Sequence, residues 1–260
     1  MKFQTTPYHF DLLKDSSRLS VFYTAIKQYC KKNNLETAFD IGCGSGILTF
    51  FAQPYFKNII ALETDEKTFK TAINNLKEFK NIDIINDDAI TYKFPKKADL
   101  IICEMLDTGL IEEAQAPAIN NAKKYLNENG KIIPEGIINL AQLVNMQREY
   151  IHYNDVDVNS DYEPMSDEVF YHELNFLDEF SLDFEAIIRF KINKDSKVNG
   201  IKITTITKVF ENIICGPTPM LNPSMLIPLP EKNVKKGQFI NVKLEYIMGA
   251  GIETIKANYV

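Results

Sequence analysis

The first half of the chain alternates short apolar runs with stretches whose apolar residues recur at helical spacing. The apolar runs include TAFDIG, NIIALE, IDIIND and ADLIICE, and the helical stretches include EKTFKTAINNLKEF and PAINNAKKYL. Strands that alternate with helices predict an α/β fold, a parallel sheet with helices on both faces. The last helical stretch is expected to run through YLNENG and to stop at Gly130, because glycine suits a left-handed helix end.

A period-two pattern replaces the helical spacing after residue 135. In FINVKLEYI the apolar residues alternate with polar ones, and IIRFKI and IKITTITKV are similar. This alternation predicts antiparallel strands with one buried face, and MGAG predicts a hairpin turn before the last strand. We therefore expect two domains, an α/β domain with an N-terminal helical segment over residues 1–135 and an antiparallel β-barrel-like domain over residues 136–260.

Composition narrows the partners and the compartment. The chain has 260 residues with 45% hydrophobic and 25% charged residues, and its net charge of -6 makes a nucleic acid an unsuitable partner and a basic peptide a suitable one. The four cysteines, Cys30, Cys43, Cys103 and Cys215, lie far apart without a CxxC pair. They predict no metal site and no disulfide framework, as in a cytoplasmic protein. No signal core or membrane-spanning apolar run occurs, so no membrane partner is expected.

The segment His152–Glu185 is rich in acidic residues and contains no Lys or Arg. It can be a solvated excursion, a surface that attracts a basic substrate, or an arm that binds a partner. Six apolar residues interrupt the acids: Val169, Phe170, Leu174, Phe176, Leu177 and Phe180. If exposed, such a stripe predicts a contact with a partner, and otherwise it folds back on its own domain.

A glycine-rich turn follows the first apolar run. FDIGCGSG places Gly42, Gly44 and Gly46 at alternate positions, where glycine allows a tight turn and a close approach of the backbone to a ligand. The spacing differs from the dinucleotide fingerprint and from the phosphate loop. Asp40 before the turn disfavours a phosphate and can accept hydrogen bonds from an amino-bearing ligand. Close packing of a helix is the alternative explanation of these glycines.

Acidic residues end the next two predicted strands. Glu63 follows the glycines at the distance expected of a carboxylate that binds the hydroxyl groups of a ribose, and Asp87 and Asp88 end the third strand. These side chains would lie along the crevice at the carboxyl ends of a parallel sheet. The combination resembles the S-adenosylmethionine site of class I methyltransferases, with Asp88 near the adenine amino group.

The fourth strand ends in EMLDTGLIEE, which places Glu104 and Glu113 nine residues apart. Here the sequence resembles the protein arginine methyltransferase family, whose double-glutamate loop has this spacing. A charged first turn of the following helix is the alternative explanation of Glu112 and Glu113. The resemblance extends over nearly the whole chain, from HFDLLKDSSRLSVFYTAI to the last strands, although EMLDT departs from the commoner EWMGY form.

The resemblance implies roles for particular residues. Arg18 would pair with the carboxylate of S-adenosylmethionine, and the other donor residues would be Asp40, Gly42, Gly44, Glu63 and Asp88. Glu104 and Glu113 would be catalytic and hold an arginine of a protein or peptide substrate in a homodimeric enzyme. Replacement of either glutamate by glutamine is expected to leave donor binding nearly intact.

One departure concerns the loop Pro217–Pro230. The family carries a Thr-His-Trp loop there, whereas this chain has Asn222, Pro223 and Ser224, no histidine in the loop and no tryptophan at all. The leading hypothesis is an arginine N-methyltransferase. The alternatives are a methyltransferase for another small or basic acceptor and an inactive donor-binding scaffold.

Overall fold

Five parallel strands form the sheet expected in the first half of the chain. The computed structural model describes residues 3–31, 35–154, 161–218 and 220–260. The strands are β1 (Thr37–Ile41), β2 (Asn58–Leu62), β3 (Ile82–Ile85), β4 (Ala98–Cys103) and β5 (Leu126–Ile133). They lie in the order β3-β2-β1-β4-β5, and neighbouring strands are parallel. The order reverses between β1 and β4, and open α/β sheets bind ligands beside such a reversal.

Among the described residues, two helices precede the first strand, and three more lie between consecutive strands of the sheet. In the described ranges they are α1 (Pro7–Lys14), α2 (Ser16–Cys30), α3 (Ile47–Ala52), α4 (Glu66–Leu76) and α5 (Gln115–Ala122), and none of them is long and apolar enough to cross a membrane. Asp15 caps α2, because its Oδ1 accepts a hydrogen bond from the Arg18 N–H at 3.0 Å. Such a cap contributes about 1 kcal/mol. It also fixes the first turn of α2, which carries Arg18.

The second half of the chain is antiparallel. Its strands are β6 (Gly136–Met146), β7 (His152–Tyr153), β8 (Tyr162–Pro164), β9 (Val169–Asn175), β10 (Asp183–Lys191), β11 (Ser196–Phe210), β12 (Ile213–Cys215), β13 (Met225–Val234), β14 (Phe239–Ile247) and β15 (Lys256–Tyr259). One sheet has the order β7-β13-β11-β6-β8, with β9 and β12 paired to β6 and β11, and the other has the order β10-β14-β15. The predicted alternation in β14 is confirmed, since Ile240, Val242, Leu244 and Tyr246 are buried.

The two sheet systems meet at a short connection. Strand β5 ends at Ile133 and β6 begins at Gly136. Gly136 lies against β9 so closely that an added Cβ would be 2.0 Å from the Leu174 carbonyl oxygen. The domain division at residues 135 and 136 falls in this connection and stays a prediction.

One local prediction is wrong. Gly130 does not end a helix, because α5 ends at Ala122 and Gly130 lies within β5. Sheet pairing overrides the local glycine signal, since β5 lies beside β4 and buries Ile132 and Ile133. MGAG turns the chain between the antiparallel strands β14 and β15, as predicted, although the last strand begins only at Lys256. Residues 248–255, which include a 3₁₀ turn at Ile252–Thr254, connect β14 to β15.

The acidic segment His152–Glu185 is only partly described, because residues 155–160 of it lie outside the described residues. The expected exposed apolar stripe is largely absent from the described part. Leu174 and Phe176 are buried, and Val169 and Phe180 pack against the core. Only the remaining two of the six are exposed, Phe170 at 58% and Leu177 at 39%. The segment therefore folds back on its own domain through β9 and the residues that follow it.

Candidate functional site

A cleft of roughly 300 Å³ lies at the carboxyl ends of β1, β2 and β4, beside the reversal of strand order. Its volume is at the lower end of the range for small-molecule sites, about 300–1,000 Å³. The eight residues predicted for donor binding and catalysis all line this cleft: Arg18, Asp40, Gly42, Gly44, Glu63, Asp88, Glu104 and Glu113. The fold thus brings together residues from five separate segments, although their roles stay predictions.

The glycine turn has a backbone that side chains would obstruct. Gly42, Gly44 and Gly46 have φ angles of 66°, 56° and 88°, a region that favours glycine. A Cβ on Gly42 would lie 2.4 Å from the Met105 sulfur, and one on Gly44 would lie 2.8 Å from His9 Nε2. Both contacts are shorter than van der Waals distance. The turn therefore requires glycine for its conformation and for the space in front of it.

Two carboxylates border the turn on the β2 and β3 sides. Glu63 Oε2 accepts a hydrogen bond from the Gly44 N–H and Oε1 accepts one from the Asp65 N–H, both at 2.9 Å. These bonds fix the carboxylate and leave lone pairs on both oxygens, because each carboxylate oxygen can accept more than one bond. Asp88 Oδ1 accepts from the Ile90 N–H at 2.9 Å, which holds it at the cleft wall.

Asp40 lies beneath the turn at the end of β1. Its carboxylate accepts a hydrogen bond from the Thr49 hydroxyl of α3, and its exposed fraction is 1%. Burial raises the pKa of Asp40 to about 7, and the bond from Thr49 opposes this shift. Asp40 therefore ties β1 to α3 across the glycine turn.

Arg18 and Glu104 form a buried ion pair. The Arg18 Nη2 donates to Glu104 Oε2, and the two side chains are 5% and 7% exposed. Arg18 Nη1 also donates to the Leu12 carbonyl at 3.2 Å, whereas Arg18 Nε is buried without a hydrogen-bond partner. Burial disfavours the charge on Arg18, but the Glu104 carboxylate raises the pKa of the guanidinium. Arg18, which is predicted to bind the methyl donor, is thus in direct contact with Glu104, the first of the two glutamates predicted to be catalytic.

The loop between Glu104 and Glu113 is held by two of its neighbouring polar side chains. Asp107 accepts hydrogen bonds from the N–H groups of Ile111, Glu112 and Glu113. Gln115, fully buried, bonds the backbone on both sides of Glu104. Burial raises the pKa of Asp107 to about 7, and the three N–H groups oppose this shift.

Glu113 reaches solvent at the cleft, unlike Glu104. Partial burial first, and then the charges of Glu104 and Glu112, raise the pKa of the Glu113 carboxyl. Glu112 makes a separate contact away from Glu104 and Glu113, since its Oε2 accepts a hydrogen bond from the Tyr153 hydroxyl of β7.

Sequence reasoning missed part of the cleft wall. Helix α1 contributes Tyr8, His9 and Leu12, and the barrel loop contributes Met220. Burial lowers the pKa of His9, and the nearby Glu63 opposes that shift. The signal for α1 was the Thr6-Pro7 start, a helix cap that is formed here by the Thr6 hydroxyl and the His9 N–H.

The barrel loop, predicted over Pro217–Pro230, ends at Ser224 because β13 begins at Met225, and without a histidine it contacts two segments that flank the cleft. The Thr218 hydroxyl donates to Asp15 Oδ2, and the Thr108 hydroxyl donates to the Pro223 carbonyl at 2.8 Å. Asn222 is buried with φ 52° and donates to Thr207 Oγ1 at 2.8 Å. Asn222 therefore anchors this loop to β11 of the barrel from a buried position.

The strand order, the glycine turn after β1 and the carboxylate after β2 define a class I methyltransferase with an appended antiparallel domain. The chain belongs to the family described as ribosomal protein L11 methyltransferase (PrmA), whose model matches residues 19–163. The predicted fold class is confirmed, and so is the prediction of a methyltransferase. Family and fold together imply S-adenosylmethionine as the methyl donor.

Comparisons with individual proteins extend beyond the matched region. The chain is 38% identical to an uncharacterized protein of Methanothermobacter thermautotrophicus over 100% of both chains. It is 28% identical to the probable protein arginine N-methyltransferase 6.1 of Oryza sativa subsp. indica over 54% of this chain and 38% of that protein. The structure of the Trypanosoma brucei PRMT1 enzyme-prozyme heterotetrameric complex with AdoHcy has a TM-score of 0.79 and 14% identity, covering 98% of this chain and 96% of that one. The predicted resemblance to arginine methyltransferases is thereby confirmed for the fold.

Proposed function

We propose that this protein transfers the methyl group of S-adenosylmethionine to an arginine nitrogen of a protein or peptide. The observation that carries this proposal is the position of Glu104 and Glu113 on one cleft beside the glycine turn. The structural similarity to an arginine methyltransferase complex and the partial similarity to a rice protein of that name support it. The family name supports a protein as the acceptor, since it refers to methylation of a ribosomal protein.

The cleft residues fit S-adenosylmethionine. Gly42 and Gly44 let the backbone approach the ligand, and Asp40 holds that turn in place. Glu63 retains lone pairs for the ribose hydroxyls, and Asp88 is placed for the adenine amino group. The buried Nε of Arg18 has no partner, and a donor carboxylate would satisfy it.

The two glutamates suit a guanidinium acceptor. The pKa of arginine is above about 12, so its nitrogens remain protonated and are poor nucleophiles. Two carboxylates can bind it through charge-assisted hydrogen bonds and orient the nitrogen that is to be methylated. The donor supplies an electrophilic methyl group, and the new N–C bond forms as the S–C bond breaks. The nitrogen loses one proton, which Glu113 can accept because its pKa is raised.

A second candidate is transfer to another nitrogen acceptor. Arg18 already neutralises Glu104 in the structure, which leaves Glu113 as the less shielded carboxylate. One carboxylate suits an amine better than a guanidinium, which offers several donors at once. A donor-binding scaffold without catalysis is a third candidate, supported by the barrel loop that lacks a histidine.

Transfer of a radiolabelled methyl group into an extract of the source cells tests these candidates. The labelled proteins are hydrolysed, and mass spectrometry identifies the methylated residue. We expect methylarginine with the wild-type protein and a loss of about thirty-fold or more with Glu113→Gln, because breaking a desolvated charge pair costs about 2–5 kcal/mol. Methyl groups on lysine or another amine would favour the second candidate, and donor binding without transfer would favour the third.

We also propose a homodimer in a reducing compartment such as the cytoplasm. The structurally similar Trypanosoma brucei protein forms a heterotetrameric complex, and Phe170 and Leu177 remain exposed on the acidic segment. The four cysteines are free and buried. Multi-angle light scattering at micromolar concentration should give twice the chain mass, and Phe170→Asp should shift it toward the monomer. A monomeric wild type would contradict the dimer.

A further inference from the structure

Asp107 lies midway along the loop that joins the two glutamates, and three backbone N–H groups converge on its carboxylate. Its Oδ2 accepts from Ile111 and Glu112 at 2.9 Å each, and its Oδ1 accepts from Glu113 at 3.2 Å. The residue is only 7% exposed. A buried carboxylate with several N–H donors is a strong local constraint, because bonds to charged groups are stronger than neutral ones.

The backbone between these partners is strained. Gly109 has a φ of 73° and is followed by Leu110 with a φ of 60°. A left-handed conformation is unfavourable for leucine and persists only where the surroundings enforce it. Thr205 of β11 contributes to that enforcement, since its Oγ1 accepts from the Gly109 N–H at 2.8 Å. The reversal at these two residues brings the following N–H groups back onto Asp107.

The third of these N–H groups belongs to Glu113, so the Asp107 carboxylate directly fixes the backbone of the second glutamate. Gln115 acts in the same way on the first glutamate. Its Nε2 donates to the Cys103 carbonyl at 2.6 Å, and its Oε1 accepts from the Met105 N–H at 2.8 Å. Each glutamate is therefore placed by a buried polar side chain from the same stretch of chain.

We infer that Asp107 is a positioning residue that sets the place of Glu113 for the methyl acceptor. The inference rests on the proposed function, because it assumes that Glu113 binds the acceptor. Asp107 itself is buried below the loop, so it acts through the Glu113 backbone. Substitutions of Asp107 should therefore change binding and turnover of the acceptor and leave the donor site intact.

Asp107→Asn is the first test, because asparagine keeps the shape but replaces one acceptor oxygen with an N–H donor. The acceptor probe is a synthetic peptide with one arginine flanked by glycines. We expect the KM for the peptide to rise at least tenfold and kcat to fall, while the dissociation constant for S-adenosylhomocysteine stays within threefold by calorimetry. Partial loss of folded protein would instead lower kcat without changing KM. It would also lower the binding stoichiometry in calorimetry. Asp107→Ser, which keeps one acceptor, should give an intermediate KM.

Asp99→Asn is the matched control. The Asp99 carboxylate also accepts two backbone N–H groups, those of Glu36 at 2.8 Å and Thr37 at 3.0 Å, but it lies on β4 away from the cleft. The Asp99→Asn substitution should lower the free energy of unfolding and leave the KM for the peptide unchanged.

Amide hydrogen exchange gives a readout that is independent of activity. The N–H groups of Ile111, Glu112 and Glu113 should exchange at least tenfold faster in Asp107→Asn than in the wild type and in Asp99→Asn. A wild type that methylates the peptide, with an unchanged KM in Asp107→Asn, overturns the inference alone. A wild type that methylates neither the peptide nor the cell extract overturns the proposed function and the inference with it.

Discussion

Replacing Glu104 with glutamine should destabilise the donor-free protein far more than replacing Glu113 with glutamine. Glu104 and Arg18 are paired with exposed fractions of 7% and 5%. Removing one charge from such a pair leaves the other buried without compensation, which costs about 3–5 kcal/mol. For a chain of this size each kcal/mol moves the Tm by about 2–4 °C, so the Tm should fall by about 6–20 °C.

Glu113→Gln is the matched control for this prediction. Glu113 is an exposed residue, and the described residues form no salt bridge with it. Exposed substitutions usually change stability by about 0.5 kcal/mol or less, which corresponds to a Tm change of about 2 °C or less. Differential scanning calorimetry of the two variants and the wild type, without ligand and at one pH, measures the difference.

Ligand binding adds a second measurement. In Glu104→Gln the Arg18 guanidinium lacks its carboxylate partner, and the carboxylate of S-adenosylhomocysteine can take that place. Saturating ligand should therefore raise the Tm of Glu104→Gln by more than it raises that of the wild type. The sequence alone suggested that donor binding would be indifferent to both glutamates, and the ion pair changes that expectation for Glu104. Equal Tm values for both variants would refute the reasoning, because the ion pair would then contribute nothing.

Two further substitutions test the turn and its supporting aspartate. Gly42→Ala should weaken S-adenosylhomocysteine binding at least tenfold in calorimetry, because its Cβ would lie 2.4 Å from the Met105 sulfur. Gly237→Ala is the control, since Gly237 has a similar φ of 84° but lies in open space, and this variant should only lower stability. The pKa of the Asp40 carboxyl is raised from 3.8 to about 7 in the folded protein. The folded state therefore favours the protonated carboxyl, and the stability that this group contributes at low pH is lost as the pH rises through about 7. At pH 8 Asp40→Asn should therefore have a higher Tm than the wild type, with a gain in the free energy of unfolding of at most about 4 kcal/mol. Near pH 4 the two proteins should be equally stable. A difference that is constant with pH would contradict the assigned shift.

The positions of Gly42 and Glu63 at the cleft were predictable because their signals are local. A glycine at φ 66° and a carboxylate at the end of a strand each follow from a few adjacent residues, and parallel strands bring their carboxyl ends to the same edge. Gly42 and Glu63 were therefore found without any knowledge of tertiary contacts. The period-two pattern of β14 likewise needs only its own residues.

The geometry around Glu104 and Glu113 depends on contacts between distant residues, which no local pattern contains. Arg18 and Glu104 are 86 positions apart, and the sequence offers no sign that they pair. No sequence signal singled out Asp107, since the bonds that it accepts depend on a backbone reversal at Leu110, where leucine is an unusual choice. The prediction that Gly130 ends a helix was wrong for the same reason, because the pairing of β5 with β4 outweighs the local preference of glycine.

The barrel loop shows how this chain can hold its active site without the histidine of the arginine methyltransferases that it resembles. The Thr218 hydroxyl bonds Asp15, the residue that caps the helix carrying Arg18. The Thr108 hydroxyl bonds the same barrel loop at Pro223 and so restrains the glutamate loop. Both donors are neutral hydroxyl groups that do not titrate near pH 7, whereas a histidine with a pKa of about 6.5 would. These two hydroxyl donors therefore keep their charge state in this range, and a pH dependence of the proposed reaction would arise from titratable side chains of the cleft itself, such as Glu113 and His9.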